Sequence, residues 1–255
     1  MRDKWRRFLR AAAVTAFWLA IWWGLAALVQ QEILIPTPLA VCKTLWGLLP
    51  TAEFWGSVAT SLTRIVLGFC AALLLGTVLA VLTARFALVR AVFSPLLHII
   101  RAAPVASFII LALVWIHDDI TPAFIAFLMV LPIVWVNVEE GIRRTDPALV
   151  EMTALYGVRP LRKLTALYIP SVKPFFVTAC VNGLGFAWKS GVAAEVICQP
   201  QLAIGSQLQD AKIYLETPEV FAWTTVVIIM SILLERVLMR LTASARRKED
   251  AHDNT

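Results

Sequence analysis

The sequence predicts an all-α, polytopic membrane protein with six transmembrane helices, and three observations carry that prediction. The chain has 255 residues, 60% of them hydrophobic and 16% charged, with a mean hydropathy of +0.77. Soluble domains carry roughly 45–50% apolar and about 25% charged residues, so both departures point to lipid as the solvent. The apolar residues gather into six runs, each close to the ~20 residues a helix needs to cross a bilayer. Eighteen of the 23 Lys and Arg residues fall on one side of those runs, the asymmetry that orients membrane proteins.

The first run, 8–29, follows the basic start Met1-Arg2-Asp3-Lys4-Trp5-Arg6-Arg7. A signal peptide begins the same way, but its apolar stretch is shorter, about 7–15 residues. The length of this run and its bulky Trp18, Trp22 and Trp23 favour a retained span. In the second run, 58–84, Gly68, Ala72, Gly76 and Ala80 recur every four residues. That spacing puts small side chains on one helix face, where a second backbone can approach closely. The third run, 95–116, contains Pro104 and should be kinked or broken there. His117-Asp118-Asp119 separates it from the fourth, 120–138.

Residues 139–173 are too charged to span. The fifth run, 174–197, carries a second small-residue stripe at Ala179, Gly183, Ala187 and Gly191. A polar stretch, 198–219, leads to the sixth run, 220–241. Residues 243–255 are charged and read as a disordered tail. With the N-terminus in the cytoplasm, basic residues at the N-terminus, at 85–90, in 139–173 and after Arg236 share one side, while Lys43 and Lys212 lie opposite. Both termini are therefore expected to be cytoplasmic. The net charge of +6 belongs to these flanks rather than to a nucleic-acid surface.

The four cysteines have no metal-ligand spacing. Cys70 and Cys180 fall inside apolar runs, and a Cys42–Cys198 disulfide is compatible with their expected sidedness alone. The three His residues form no helical metal pair, and no nucleophile–base pairing stands out. No catalytic or metal-ligating residue is assigned, and no Gly-x₄-Gly-Lys-Ser/Thr loop for nucleotide occurs.

The segment 139–173 is the most informative. Asp146-Pro147 reads as an N-cap followed by proline in the first turn. The helix it starts runs to Tyr156, where Gly157 can end it in a left-handed conformation. Arg159-Pro160 starts a second short helix with Leu161, Leu164 and Leu167 at helical spacing, and Pro170 closes the segment. Two short helices about a glycine hinge fit either an amphipathic elbow on the lipid surface or a docking site.

The residues Glu151-Met152-Thr153-Ala154-Leu155-Tyr156-Gly157, then nine residues, then Leu167-Tyr168-Ile169-Pro170 resemble the Glu-Ala-Ala loop of binding-protein-dependent ABC importer permeases. Glu151, Gly157 and Pro170 match that pattern in spacing, while Met152 and Thr153 replace its two alanines. Ser61-Leu62-x-Arg64, Gly68-Phe69, Gly183-x₃-Ala187-Trp188, Ala194-Glu195 and Ile204-Gly205 look like the nitrate/sulfonate/taurine branch of the same family. Arg101-Ala102-Ala103-Pro104 departs from the more proline-rich stretch usual in that branch. The similarity runs from about Thr60 to about Leu241.

The resemblance implies a type I importer permease fold in a bacterial inner membrane. It also implies a homodimer of permease copies, a cytoplasmic ABC ATPase dimer that binds ATP and Mg, and an extracytoplasmic solute-binding protein. No cofactor is expected in this chain. Glu151, Ala154, Gly157, Leu161, Leu164, Leu167 and Pro170 are the implied ATPase-coupling residues. The implied solute is a small anion such as a sulfonate, taurine or nitrate. An ion-driven transporter or channel accounts for the spans but not for the loop.

Charges at mid-bilayer cost about 2.5–3.5 kcal/mol on insertion scales, so they are functional candidates. Arg64 can snorkel to the outer surface. Arg101, just before Pro104, could neutralise an anion or hydrogen-bond carbonyls freed by the proline. Lys189, in mid-span, could face a translocation path or form an interhelical pair. Asn182 and Trp188 on the same span complete the path candidates. Glu195, about 240° round the helix from Lys189, lies near the outer end, where ordinary solvation is expected to suffice. Asn137 is expected to join helices.

Overall fold

The computed structural model describes residues 2–252, with side chains described for 5–6, 9–10 and 12–242. The order of elements is α1 (Arg2–Val29), α2 (Pro38–Leu48), α3 (Ala52–Arg85), α4 (Ala87–Ala102), α5 (Val105–Ala112), α6 (Thr121–Arg143), α7 (Pro147–Leu155), α8 (Pro160–Lys163), a π-helical turn (Leu164–Tyr168), α9 (Ile169–Cys198), α10 (Ile204–Ile213) and α11 (Thr217–His252). Five helices are long and apolar enough to cross a membrane, and the bent pair α4–α5 makes a sixth span if counted as one.

The core is the triplet α3, α6 and α9. Both small-residue stripes are buried and do what their spacing predicts. An added Cβ at Gly68 would lie 2.1 Å from the Ala123 carbonyl oxygen, and one at Gly76 2.9 Å from Val134 Cβ, so α3 meets α6 at backbone distance. On α9, Gly183 faces Val130 of α6 and Gly191 faces Ile65 of α3. Close approach replaces the hydrophobic drive that lipid does not supply. Trp135 fills the space beside the stripe and donates its indole N–H to Thr83 Oγ1 at 2.9 Å.

The third span breaks at Pro104, where α4 and α5 meet at 105°. Proline lacks the N–H that would continue the helix. α5 packs on α6 and the C-terminal end of α9 through Ile109, Ala112, Ile125 and Ala194. α1 stands apart from the core. It is tied by the Trp22 indole N–H to the Pro36 carbonyl at 3.1 Å and by stacking of Trp22 on Phe221.

Several boundaries differ from the sequence expectation. α6 extends beyond 138 to Arg143, because Glu139 and Glu140 pair with Arg143 and Arg144 one turn on. Glu139 also pairs with Arg90 of α4. Pro170 does not close a segment: helix runs unbroken from Pro160 to Cys198. The π-helical turn precedes Pro170 and Pro174, and the Ile169 N–H reaches back to the Leu164 carbonyl. Such a widened turn absorbs the bonds that prolines cannot make. The stretches 30–51 and 198–219, read as connections, hold α2 and α10. Helical backbone also continues past Ala243 to His252, through a run rich in Ala, Arg and Lys; these are strong helix formers. Residues 253–255 of the expected tail lie outside the described residues. The four cysteines are free, Cys42 exposed and Cys198 buried, so the Cys42–Cys198 disulfide is not formed.

Candidate functional site

Between α6 and α9 the chain builds a protruding hinge. Asp146 caps α7 by accepting the Ala148 N–H at 2.9 Å. At its other end the Val158 N–H donates to Thr153 O at 3.0 Å and the Gly157 N–H to Ala154 O at 3.2 Å. These paired bonds close a Schellman turn, with Gly157 at φ +60 in open space. A β-carbon is disfavoured at that φ by roughly 1–2 kcal/mol, and proline cannot adopt it.

Glu151 and Ala154 are exposed. Around them stand apolar side chains that nothing covers among the described residues: Leu155 is 85% exposed, Tyr156 81% and Leu161 77%, with Met152 and Leu164 about half exposed. Leu167 does not belong to this face. It is buried, because the π-helical turn rotates it inward. Pro170 is exposed and lies within the continuous helix 160–198.

A second candidate region lies on α9. Thr178, Asn182, Phe186, Lys189, Ala193 and Ile197 are exposed at intervals of three and four residues, forming one uncovered stripe opposite the buried glycines. Asn182 and Lys189 are therefore placed on one face. Lys189 makes no ion pair among the described residues, so the interhelical pair is not formed. Trp188 lies off this face. It is fully buried and donates its indole N–H to the Val227 carbonyl at 3.0 Å, locking α9 to α11. A side chain so enclosed does not line a path. Its spacing from Leu184 and Val192, both buried, is a helical signal that places it in the core.

Arg101 and Phe186 line a cavity of about 320 Å³ together with Ala103, Met129, Pro132 and Asn137. Arg101 is exposed and has no hydrogen bond or ion pair among the described residues, so it does not satisfy the carbonyls beside Pro104. Among the described residues it is the only charged group in the cavity wall. Asn137 turns its amide back onto the Ile133 carbonyl of its own helix at 2.7 Å. It therefore shapes the cavity rather than joining two helices.

The sequence reading missed a buried polar clasp at the other end of the spans. Glu195 is 0% exposed, not solvated as expected. Its Oε2 accepts the Ser61 hydroxyl at 2.8 Å and the Gly205 N–H at 3.2 Å, while the Ile204 N–H donates to Ser61 Oγ at 2.9 Å. The first turn of α10 is thereby bonded to both α3 and α9. An added Cβ at Gly205 would sit 2.3 Å from Glu195 Cβ, so only glycine brings that turn onto the carboxylate. The presence of both a Ser and a Glu within apolar runs was the available signal. Arg64, one turn from Ser61, does not simply snorkel. It pairs with Asp119 at 2.5 Å and donates to the Gln201 and Leu202 carbonyls at 3.1 and 3.5 Å, pinning the loops 113–120 and 199–203 to α3.

Comparisons with known proteins identify relatives of this chain. Residues 72–248 match the family model described as binding-protein-dependent transport system inner membrane component. The taurine transport system permease protein TauC of Escherichia coli is 26% identical over 252 residues, covering 94% of this chain and 91% of TauC. The putative aliphatic sulfonates transport permease protein SsuC of Bacillus subtilis is 24% identical over 217 residues, covering 84% of this chain and 78% of SsuC. The crystal structure of an amino acid ABC transporter with histidines superposes with a TM-score of 0.61 at 16% identity, covering 75% of this chain and 93% of that one. That likeness establishes the fold.

Proposed function

The chain belongs to the binding-protein-dependent transport system inner membrane components, and on that premise we propose that it forms the solute path of an ATP-driven ABC importer. The segment 139–173 couples that path to a separate cytoplasmic ATPase dimer, which binds ATP and Mg. The observation that carries this reading is the hinge at Gly157: a rigid turn presenting Leu155, Tyr156 and Leu161 on an otherwise charged segment. Large apolar side chains grouped on a polar protrusion mark an interaction surface. Glu151 supplies a charge beside them. Coupling needs the ATPase to contact two packings of the permease differently. A stiff turn leading into the unbroken helix 160–198 transmits such a difference to the span.

The uncovered stripe of α9 and the Arg101 cavity form the path, completed by a second copy of this chain. Lys189 and Arg101 are cations within spans that make no ion pair among the described residues. They suit a small anion, in keeping with the sulfonates and taurine named for the relatives. A solute-binding protein delivers the solute on the side of α2 and α10, and both termini lie in the cytoplasm of a bacterial inner membrane. The clasp of Glu195 holds α10 as a fixed part of the outer mouth.

The test is uptake in cells carrying Gly157→Pro or Glu151→Lys. Both variants should insert and dimerise as the parent does yet lose ATP-dependent uptake. Normal uptake in both would overturn the coupling role.

A further inference from the structure

At the end of the bundle that carries the coupling segment, a crevice of about 700 Å³ opens between the last turns of α3, the end of α6 and the helix 160–198. Its walls are mostly apolar, with Val81, Ile142 and Phe176 among them. Among the described residues its charged lining is Arg85, Lys163 and Lys173, with no acidic residue. Arg85 ends α3 and is exposed, while Lys163 and Lys173 are half-buried along the facing helix. The Lys163 ammonium lies 5.9 Å over the Tyr168 ring, so an aromatic face backs the charged rim.

An apolar crevice with a basic rim, at the cytoplasmic ends of membrane spans, matches one amphiphile. The cytoplasmic leaflet is rich in anionic lipids, and basic pockets between spans on that side hold their headgroups. We propose that this crevice binds an anionic phospholipid, its phosphate between Arg85 and Lys163 and its acyl chain against Val81, Ile142 and Phe176. A small soluble anion leaves the apolar wall unused, and a zwitterionic lipid gains less from the two cations. Pro160, Lys163 and Leu164 line the crevice, while Leu161, 77% exposed, faces the coupling surface. The lipid therefore lies directly behind the coupling helix and holds it at a set distance from α3.

The inference uses the orientation proposed above, but lipid binding is measured without any ATPase and fails or succeeds separately from coupling. The full-length chain is purified in detergent and titrated with phosphatidylglycerol, phosphatidylcholine or inorganic phosphate, with native mass spectrometry counting bound lipid. Phosphatidylglycerol should remain bound and raise the thermal midpoint, whereas phosphatidylcholine and phosphate should do neither. Each removed cation should weaken retention about fivefold, the equivalent of ~1 kcal/mol per basic residue near an anionic surface. The double variant Arg85→Gln/Lys163→Gln keeps Lys173 in place and should lose about 25-fold. Arg236→Gln/Arg240→Gln, at positions that do not line the crevice, should bind as the parent does. Equal retention of the two lipids, equal loss in the remote variant, or protection by phosphate alone would each overturn the proposal.

Discussion

Replacing Gly68 by alanine adds one methyl group where two helix backbones touch. The new carbon would sit 2.1 Å from the Ala123 carbonyl oxygen and 3.0 Å from its carbon, against an ordinary C···O contact of about 3.3 Å. No flexible side chain can yield, so α3 and α6 must separate locally by about 1.2 Å, the difference from that contact distance. Overpacking of this kind costs about 1–3 kcal/mol, and it is felt along the stripe because neighbouring contacts at Ala72 and Gly76 open with it. Alanine recovers about 0.5–1 kcal/mol of helix propensity. The net expectation is a loss of ~1–2 kcal/mol from these opposing terms. At Gly24 in α1, nothing lies within 4 Å of the added carbon, so the same substitution should stabilise by about 0.5–1 kcal/mol. Equilibrium unfolding of both variants in mixed detergent, followed by tryptophan fluorescence, reads the two signs directly. Equal stability of Gly68→Ala and Gly24→Ala would refute the account of the α3–α6 contact.

Ser61→Ala removes the hydroxyl that serves both Glu195 and the Ile204 N–H. It should cost about 1–3 kcal/mol for buried groups left unpaired and speed proteolysis of the 199–203 loop. Unchanged cleavage there would show that the clasp does not hold α10. Lys189→Ala and Arg101→Ala should each lower uptake of an anionic solute while leaving insertion and partner recovery intact. Loss of insertion instead would assign these cations a structural role. Cys42, exposed in α2, should react with a membrane-impermeant maleimide added outside intact spheroplasts, and a parent chain that stays unlabelled until lysis would reverse the proposed orientation.

Much of the bundle is legible in the sequence because membrane helices obey few and strong constraints. Every-fourth glycine and alanine on α3 and α9 mark faces that can approach another backbone, and those faces are the buried ones. Pro104 breaks its span because a missing N–H acts locally. Gly157 ends α7 because a left-handed turn needs no distant partner. What escaped the reading depends on distant contacts. Glu195 lies near a span end, and only the fold-back of α10 onto Gly205 encloses it. α10 itself is polar enough to pass for a loop. Pro170 appeared to end a helix, yet the π-helical turn before it carries the chain through and turns Leu167 inward. Trp188 sits beside Lys189 in sequence but about 100° round the helix, enough to separate a core residue from one on the open face.

The central claim, that the Gly157 hinge docks a cytoplasmic ATPase, is tested most directly by affinity isolation of the tagged full-length chain in mild detergent. Co-purifying proteins are identified by mass spectrometry, and ATP hydrolysis is measured on the eluate. The account predicts a stoichiometric ATPase subunit with the parent chain and its loss with Gly157→Pro, while the second permease copy is retained in both. Recovery of the parent without any ATPase, together with uptake that survives ATP depletion, would contradict it.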